Sequence, residues 1–256
     1  MYPVVLVHVR PALYGEDMSS DKPTVRAISR EVVRRQFSVG GLTPQRPHAE
    51  LLEADARETR AYLLGALRDG TFSRIHGTYR ISQSDRRWLV VLQDLFRKLG
   101  SRSWIYREGK RNVWVVETTC RLAEATLASL EEKSAFARGY FDAEGGIPRD
   151  PSARFYIQLV QKDRRDLEQV RRFLRDIGIG CGRIHNPSVR VDPDYWRFYV
   201  LSQSHEDFVR HVGSWHPRKR LLLEARMKIW SAPRGDTGNH ANKVAVPEGA
   251  AGSPPF

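Results

Sequence analysis

Cysteine is nearly missing from this chain: Cys120 and Cys181 are the only two in 256 residues. They lie far apart and in no metal-ligand spacing, which argues against a disulfide framework and against a cysteine-based zinc site. A reducing compartment fits, and we expect an intracellular protein, in a prokaryotic cytoplasm before an organelle. No run of 18 apolar residues occurs, so no membrane helix is expected. The opening "MYPVVLVHVRP" is too short and too soon interrupted to read as a signal peptide. The eight histidines show no paired spacing on one face, which leaves a histidine-based centre without support. Acidic residues are also in short supply, 30 against 42 lysines and arginines, a net charge of +12. Such an excess favours a polyanionic partner, because each neutralised phosphate releases counterions. Composition alone leaves open a basic protein with no nucleic-acid partner.

What the chain has instead is one short pattern, twice. "AYLLGALRDGTF" (Ala61 to Phe72) and "ARGYFDAEGGI" (Ala137 to Ile147) each read as an apolar helix closed by an acid and a glycine, Asp69-Gly70 and Glu144-Gly145. Tyr62, Leu63 and Leu67 in one, and Phe136, Tyr140 and Phe141 in the other, leave little surface for water, so both helices are expected to be buried. Gly65 and Gly139 stand in mid-helix, where glycine costs roughly 1 kcal/mol against alanine, and point to close helix-to-helix approach. Packed together, the helices would bring Asp69 and Glu144 to one place. Two carboxylates there repel unless a shared proton or a divalent cation neutralises them, and a hard ion such as Mg2+, Mn2+ or Ca2+ is the expected cofactor. Taken singly, each acid also reads as the residue before a C-capping glycine, with no chemistry attached.

The rest of the repeat keeps time with this pattern. "ISQSDRRWL" (Ile81 to Leu89) returns as "LVQKDRRDL" (Leu159 to Leu167), 78 residues on. Leu99-Gly100 returns as Ile177-Gly178 at the same offset, each ending an amphipathic helix that Asp-Arg-Arg begins. The acids are only 75 residues apart, so the second repeat is expected to hold about three extra residues in its first hairpin. Strand pairs are expected at Ser103 to Arg107 with Asn112 to Thr118, and at Gly182 to His185 with Trp196 to Ser202, a closing helix following. Each repeat thus reads α-β-β-α-β-β-α, an α+β arrangement. Along "RFYIQLVQ" (Arg154 to Gln161), Phe155, Ile157 and Leu159 should face the helices and Arg154, Tyr156 and Gln158 the open side. The expected limits are 1–56 for an N-terminal extension, 57–133 and 134–230 for the repeats, and 231–256 for a tail.

From Gly139 to Gly145 the second copy matches position by position the pattern Leu-Ala-Gly-Leu-Ile-Asp-Ala-Asp-Gly, and from about Arg57 to Trp230 the chain resembles the LAGLIDADG homing endonuclease family in its single-chain, two-repeat form. The first copy has one residue fewer between glycine and acid, which puts Leu64 where the pattern has its glycine. The resemblance implies two pseudo-symmetric repeats joined through central helices into a saddle, with double-stranded DNA lying across it. It implies Asp69 and Glu144 as metal ligands and catalytic residues, since phosphodiester cleavage needs an aligned, metal-bound water. It also implies a glutamine at the end of the second strand with arginines close behind, here Gln83 with Arg86 and Gln161 with Arg164. Asp85 and Asp163 equally read as N-caps, with the arginines a solvated first turn. Lys219 in "HPRKRLLLEAR" resembles the family's lysine near the site, and Lys133 is its candidate after repeat one; both also read as surface lysines. The DNA-binding candidates are Arg74, Arg80, Arg86, Arg154, Gln158, Arg164, Arg183, Arg190 and Arg197.

Outside the repeats, Val4 to Val9 suggests a strand, Pro23 to Phe37 a basic helix, Gly40 to Pro47 a linker, and the tail from Ser231 disorder. The expected function is a monomeric, site-specific, cation-dependent DNA endonuclease of the intron-homing kind. An intron RNA maturase on the same fold and a non-catalytic DNA-binding regulator are the alternatives; an intein is not expected, because no splicing block flanks the repeats. A regulator ought to have lost an acid, and both are present.

Overall fold

Each of the four helices around the two sheets begins where a side chain takes over an orphaned backbone N–H. In the computed structural model, which describes residues 54–110, 112–122, 126–150 and 153–231, Asp55 caps α1 (Ala56–Ala66) and Ser129 with Glu132 forms a reciprocal capping box on α3 (Leu130–Glu144). Asp85 accepts from Arg87 N at 3.1 Å to open α2 (Arg86–Lys98), and Asp163 from Arg165 N at 2.8 Å to open α4 (Arg164–Asp176). Both of these helices stop the same way. Gly100 and Gly178 take φ of +70° and +84°, and the next residue's N–H returns to the last turn, Ser101 to Phe96 O and Ile179 to Leu174 O. The expected strand at 4–9, helix at 23–37, linker at 40–47 and tail beyond 231 lie outside the described residues. Among the described residues no helix is long and apolar enough to cross a membrane.

The first repeat builds a four-stranded antiparallel sheet in the order β1-β2-β4-β3, from β1 (Thr71–Ser73), β2 (Thr78–Gln83), β3 (Ser103–Arg107) and β4 (Trp114–Thr118). The second repeat pairs β5 (Gly145–Gly146), β6 (Gln158–Gln161) and β7 (Trp196–Tyr199) in the order β5-β6-β7. Two expected strands fall short. Arg154 to Ile157 precede β6 without joining it, although Ile157 and Leu159 are buried and Arg154 and Tyr156 exposed, as the alternation requires. Gly182 to His185 makes only flanking bridges, Cys181 to Val200 and His185 to Arg197. Four steps on one side there meet three on the other, so one extra residue bulges out and breaks the ladder that β3 and β4 keep whole. The closing helix expected after β4 is also missing: described residues 119–122 and 126–129 are irregular, and the expected boundary at 133/134 falls inside α3. Repeat two does close with a helix, α5 (Pro217–Ser231), after a π-helical turn at Phe208–Val212.

The repeats meet through α1 and α3. A Cβ added at Gly65 would lie 2.1 Å from the Phe136 carbonyl oxygen, and one at Gly139 would lie 2.0 Å from that of Tyr62. Backbone thus packs on backbone, which glycine alone permits. These contacts pair Gly65 with Gly139, so Gly65 and not Leu64 does the work of the pattern's glycine. Around them lie two cores, one including Leu63, Trp88, Leu92 and Phe96, the other Phe141, Leu159, Phe198 and Phe208. A buried chain of hydrogen bonds crosses between them: Trp88 Nε1 donates to Tyr62 Oη at 3.0 Å, and Tyr62 Oη to Asp142 at 2.6 Å.

Candidate active site

The missing residue in the first copy is absorbed by the way its helix ends. After Ala66 the chain tightens into a 3-10 turn, Leu67–Asp69, whereas α3 stays α-helical as far as Glu144. One α step and three 3-10 steps advance about 7.5 Å from Gly65 to Asp69, and five α steps advance about 7.5 Å from Gly139 to Glu144. Both acids therefore stand at the same height above the glycine contact. The glycines that follow are not left-handed caps: Gly70 and Gly145 both have φ of −82° and extended ψ, leading straight into β1 and β5. At Gly145 a Cβ would fall 2.1 Å from the Phe141 ring, so close approach explains this residue.

Each half-buried acid takes one side-chain hydrogen bond from the glutamine that ends the second strand. Gln83 Nε2 donates to Asp69 Oδ2 at 3.1 Å, and Gln161 Nε2 to Glu144 Oε1 at 3.3 Å. Burial pushes the Asp69 carboxyl up to about 6, against the Gln83 bond and the Lys219 charge. It pushes Glu144 up to about 8, and there the negative charge of Asp69 adds to burial. The two carboxylates are thus close enough to repel, and one amide each does not offset that repulsion. A divalent ion would. Among the described residues no three His, Cys, Asp or Glu side chains converge, so Asp69 and Glu144 alone would supply the anionic ligands of such an ion.

Lys219 reaches this place by a route absent from the sequence reading. Asp142, buried on the inner side of α3, accepts from Tyr62, from Ser214 Oγ and from the backbone N–H groups of Trp215 at 2.8 Å and His216 at 3.0 Å. That clamp fixes the start of α5 and seats Lys219 under the end of α3. Its Nζ donates to the carbonyls of Phe141 (2.6 Å), Asp142 (2.9 Å) and Gly145 (2.7 Å). All three donors of the ammonium are then in use, so Lys219 acts on Asp69 and Glu144 as a charge rather than as a donor. Burial lowers it to about 8, with the carboxylates of Asp142 and Glu144 opposing. Lys133 is elsewhere: it sits in the first turn of α3, roughly 16 Å along the helix from Glu144, and pairs with Asp176 at 2.7 Å.

The expected DNA-binding side chains divide by neighbourhood. Arg74, Arg154, Arg183 and Arg190 are exposed. Arg80 is drawn to Glu108 at 3.3 Å and lies over the Tyr106 ring, on a sheet face that also carries Glu117. Gln158 donates to Tyr195 Oη at 3.3 Å, and Arg197 lies over Tyr199. Arg86 and Arg164, the first residues of α2 and α4, each cover an indole, Trp114 and Trp196, at 5.0 Å. Asp142 and the two tryptophans went unnoticed in the sequence. The tryptophans open the last strand of each repeat's sheet, a match that the 78-residue offset hides because the hairpin before that strand is longer in the second repeat and shifts it to 82.

Residues 131–213 match the model of the LAGLIDADG-like domain. The chain is built on the LAGLIDADG fold, in two repeats. No curated protein matches it. Among solved structures, I-DmoI in complex with DNA and Ca is 20% identical, with a TM-score of 0.51 over 67% of this chain and 99% of that one. The N-terminal LAGLIDADG domain of DUF199/WhiA is 16% identical, with a TM-score of 0.53 over 68% of this chain and 94% of that domain. Full-length DUF199/WhiA from Thermatoga maritima is 17% identical, with a TM-score of 0.56 over 71% of this chain and 63% of that protein. At these identities the likeness is one of fold.

Proposed function

We propose that this LAGLIDADG protein is a cation-dependent endonuclease that cuts both strands of a specific double-stranded DNA site, one acid centre serving each strand. The observation that carries the reading is the pair of half-buried carboxylates, Asp69 and Glu144, raised at one meeting point and each backed by its own glutamine. A divalent ion held there would lower the pKa of a bound water and neutralise the leaving oxygen. Gln83 and Gln161 orient the acids, and the Lys219 charge keeps them from holding protons too tightly. The basic residues of both repeats supply the phosphate contacts. The structure of I-DmoI with DNA and Ca, on the same fold, is in keeping with this choice of substrate and of a hard ion. Magnesium, a monomeric state and intron homing belong to the same proposal.

The test is incubation with a plasmid library carrying randomised inserts, with and without Mg2+. Linear product is expected only with the ion. Asp69→Asn and Glu144→Gln should each lose double-strand cleavage by roughly a thousandfold, the loss of several kcal/mol of transition-state stabilisation, while retaining DNA affinity and nicking one strand. Binding without any cutting would favour the non-catalytic DNA-binding reading. Wild-type rates in both variants would remove these acids from the reaction.

A further inference from the structure

Trp114 and Trp196 occupy equivalent places in the two sheets. Trp114 stands opposite Gln83 across β2 and β4, and Trp196 opposite Gln161 across β6 and β7. Each glutamine is in turn bonded to the acid of its own repeat. Over each half-buried indole lies an exposed arginine, Arg86 Cζ at 5.0 Å from the Trp114 ring centre and Arg164 Cζ at 5.0 Å from that of Trp196. Nearby core positions do not keep such identity: Trp88 of one repeat aligns with Asp166 of the other, and Tyr62 with Phe136. A stack retained on the rim while the interior diverges calls for a reason other than packing.

We infer that Trp114 and Trp196 are positioning residues that hold Arg86 and Arg164 flat beside the two acid centres, each arginine gripping a backbone phosphate of one strand of duplex DNA. The inference rests on the endonuclease reading of those centres. An indole occupies only the face of a guanidinium and leaves its in-plane N–H groups free for two phosphate oxygens. Stacking also fixes a long, rotamer-rich side chain before DNA arrives, which removes ordering from the cost of binding. Both arginines sit at the first position of a 13-residue helix, where the dipole adds to their charge. Among the described residues Arg86 has no partner besides Trp114, whereas Arg164 also bonds to Glu168 at 2.9 Å. Losing Trp114 should therefore matter more than losing Trp196.

Fluorescence anisotropy with a labelled duplex of random sequence, over a range of salt, tests this. For the wild type, log affinity should fall linearly with log salt, and Arg86→Ala should shallow that slope by about 0.9. Trp114→Leu should weaken binding by about two- to fivefold, the worth of an exposed cation–π contact, and shallow the slope in the same sense. The double variant should bind no worse than Arg86→Ala alone, Trp114→Tyr should behave as wild type, and Trp196→Leu should show the smaller effect. A folded Trp114→Leu with an unchanged slope, or with a loss fully additive to that of Arg86→Ala, overturns the inference. Should Trp114→Leu not fold, Arg86→Lys carries the test, because an ammonium keeps the charge without lying flat on the ring. It must also bind about two- to fivefold more weakly, and unchanged affinity overturns the inference. A wild type with no salt-dependent DNA binding overturns this inference together with the endonuclease reading, which separates that failure from failure at the tryptophans alone.

Discussion

The two repeats reach one arrangement at their acids by different local means. In the first, α1 finishes in a 3-10 turn and presents Asp69; in the second, α3 remains α-helical for one residue more and presents Glu144. The first sheet has four unbroken strands, while the second has three and a bulged remnant of a fourth. The first helix end has no lysine among the described residues, and the second is closed by Lys219 on three carbonyls. What stays the same is short: the glycine contact, the acid, the glutamine, the Asp cap and the arginine on tryptophan. Strand length and core composition have drifted while those features hold, so the constraint on this fold lies in the meeting of its helix ends.

The largest break in the comparison should come at Lys219. Lys219→Met removes three hydrogen bonds from a charged donor, each worth about 1.5–3 kcal/mol, and although the Phe141 carbonyl keeps the Gly145 N–H, the variant should lose at least about 3 kcal/mol of stability. Lys133→Met removes only an ion pair with half-exposed partners and should cost no more than about 1 kcal/mol. Denaturant melts of both variants check this, and equal losses would end the distinction between a lysine that closes a helix and one that decorates it. The glycines come next. Gly65→Ala and Gly139→Ala each drive a methyl into a carbonyl oxygen across the same interface, and each should cost about 1–3 kcal/mol or more. The two losses should match. A harmless Gly65→Ala beside a severe Gly139→Ala would mean that the helices are not paired as the contact geometry requires.

The duplication, the helix stops at Gly100 and Gly178, the buried central helices and the meeting of the two acids were legible in the sequence, because each depends on local pattern or on a fixed offset. Gln83 and Gln161 are singled out by the family resemblance, and their bonds to the acids come from the structure. Gly65 is marked as a point of close approach by its place in mid-helix, whereas alignment to the family pattern puts Leu64 at the glycine position, because a linear pattern has no way to express a change of rise per residue. The role of Lys219 depended on Asp142, whose partners lie 72 to 80 residues away along the chain. Lys133 looked equivalent by its place between repeats, yet it stands at the start of α3 and the acid at its end. The broken strand at 182–185 is a matter of one unpaired residue, to which alternation of apolar and polar positions is blind.

The last prediction concerns the charge that the two acids share. Unfolded, Asp69 and Glu144 titrate near 3.8 and 4.5; folded, they are pushed up to about 6 and about 8, in both cases chiefly by burial. Between these limits the folded chain holds protons that the unfolded chain has released. The stability they contribute is therefore full below about 4 and is lost as pH rises through 8. Cation-free protein should melt at lower temperature at pH 8 than at pH 5. Above 8 the trend should reverse in part, because burial of Lys219 lowers its pKa from 10.5 to about 8 and makes the folded chain the poorer proton binder there. A bound divalent ion requires the ionised acids, so its affinity should rise with pH between about 6 and 8, by about tenfold per unit for one proton released. The comparison between repeats sharpens this further. Asp69→Asn removes the charge that adds to burial at Glu144, so the remaining carboxyl should titrate at lower pH, read by NMR of its side chain. A midpoint left unmoved would mean that burial alone raises Glu144 and that the two acids do not sense each other.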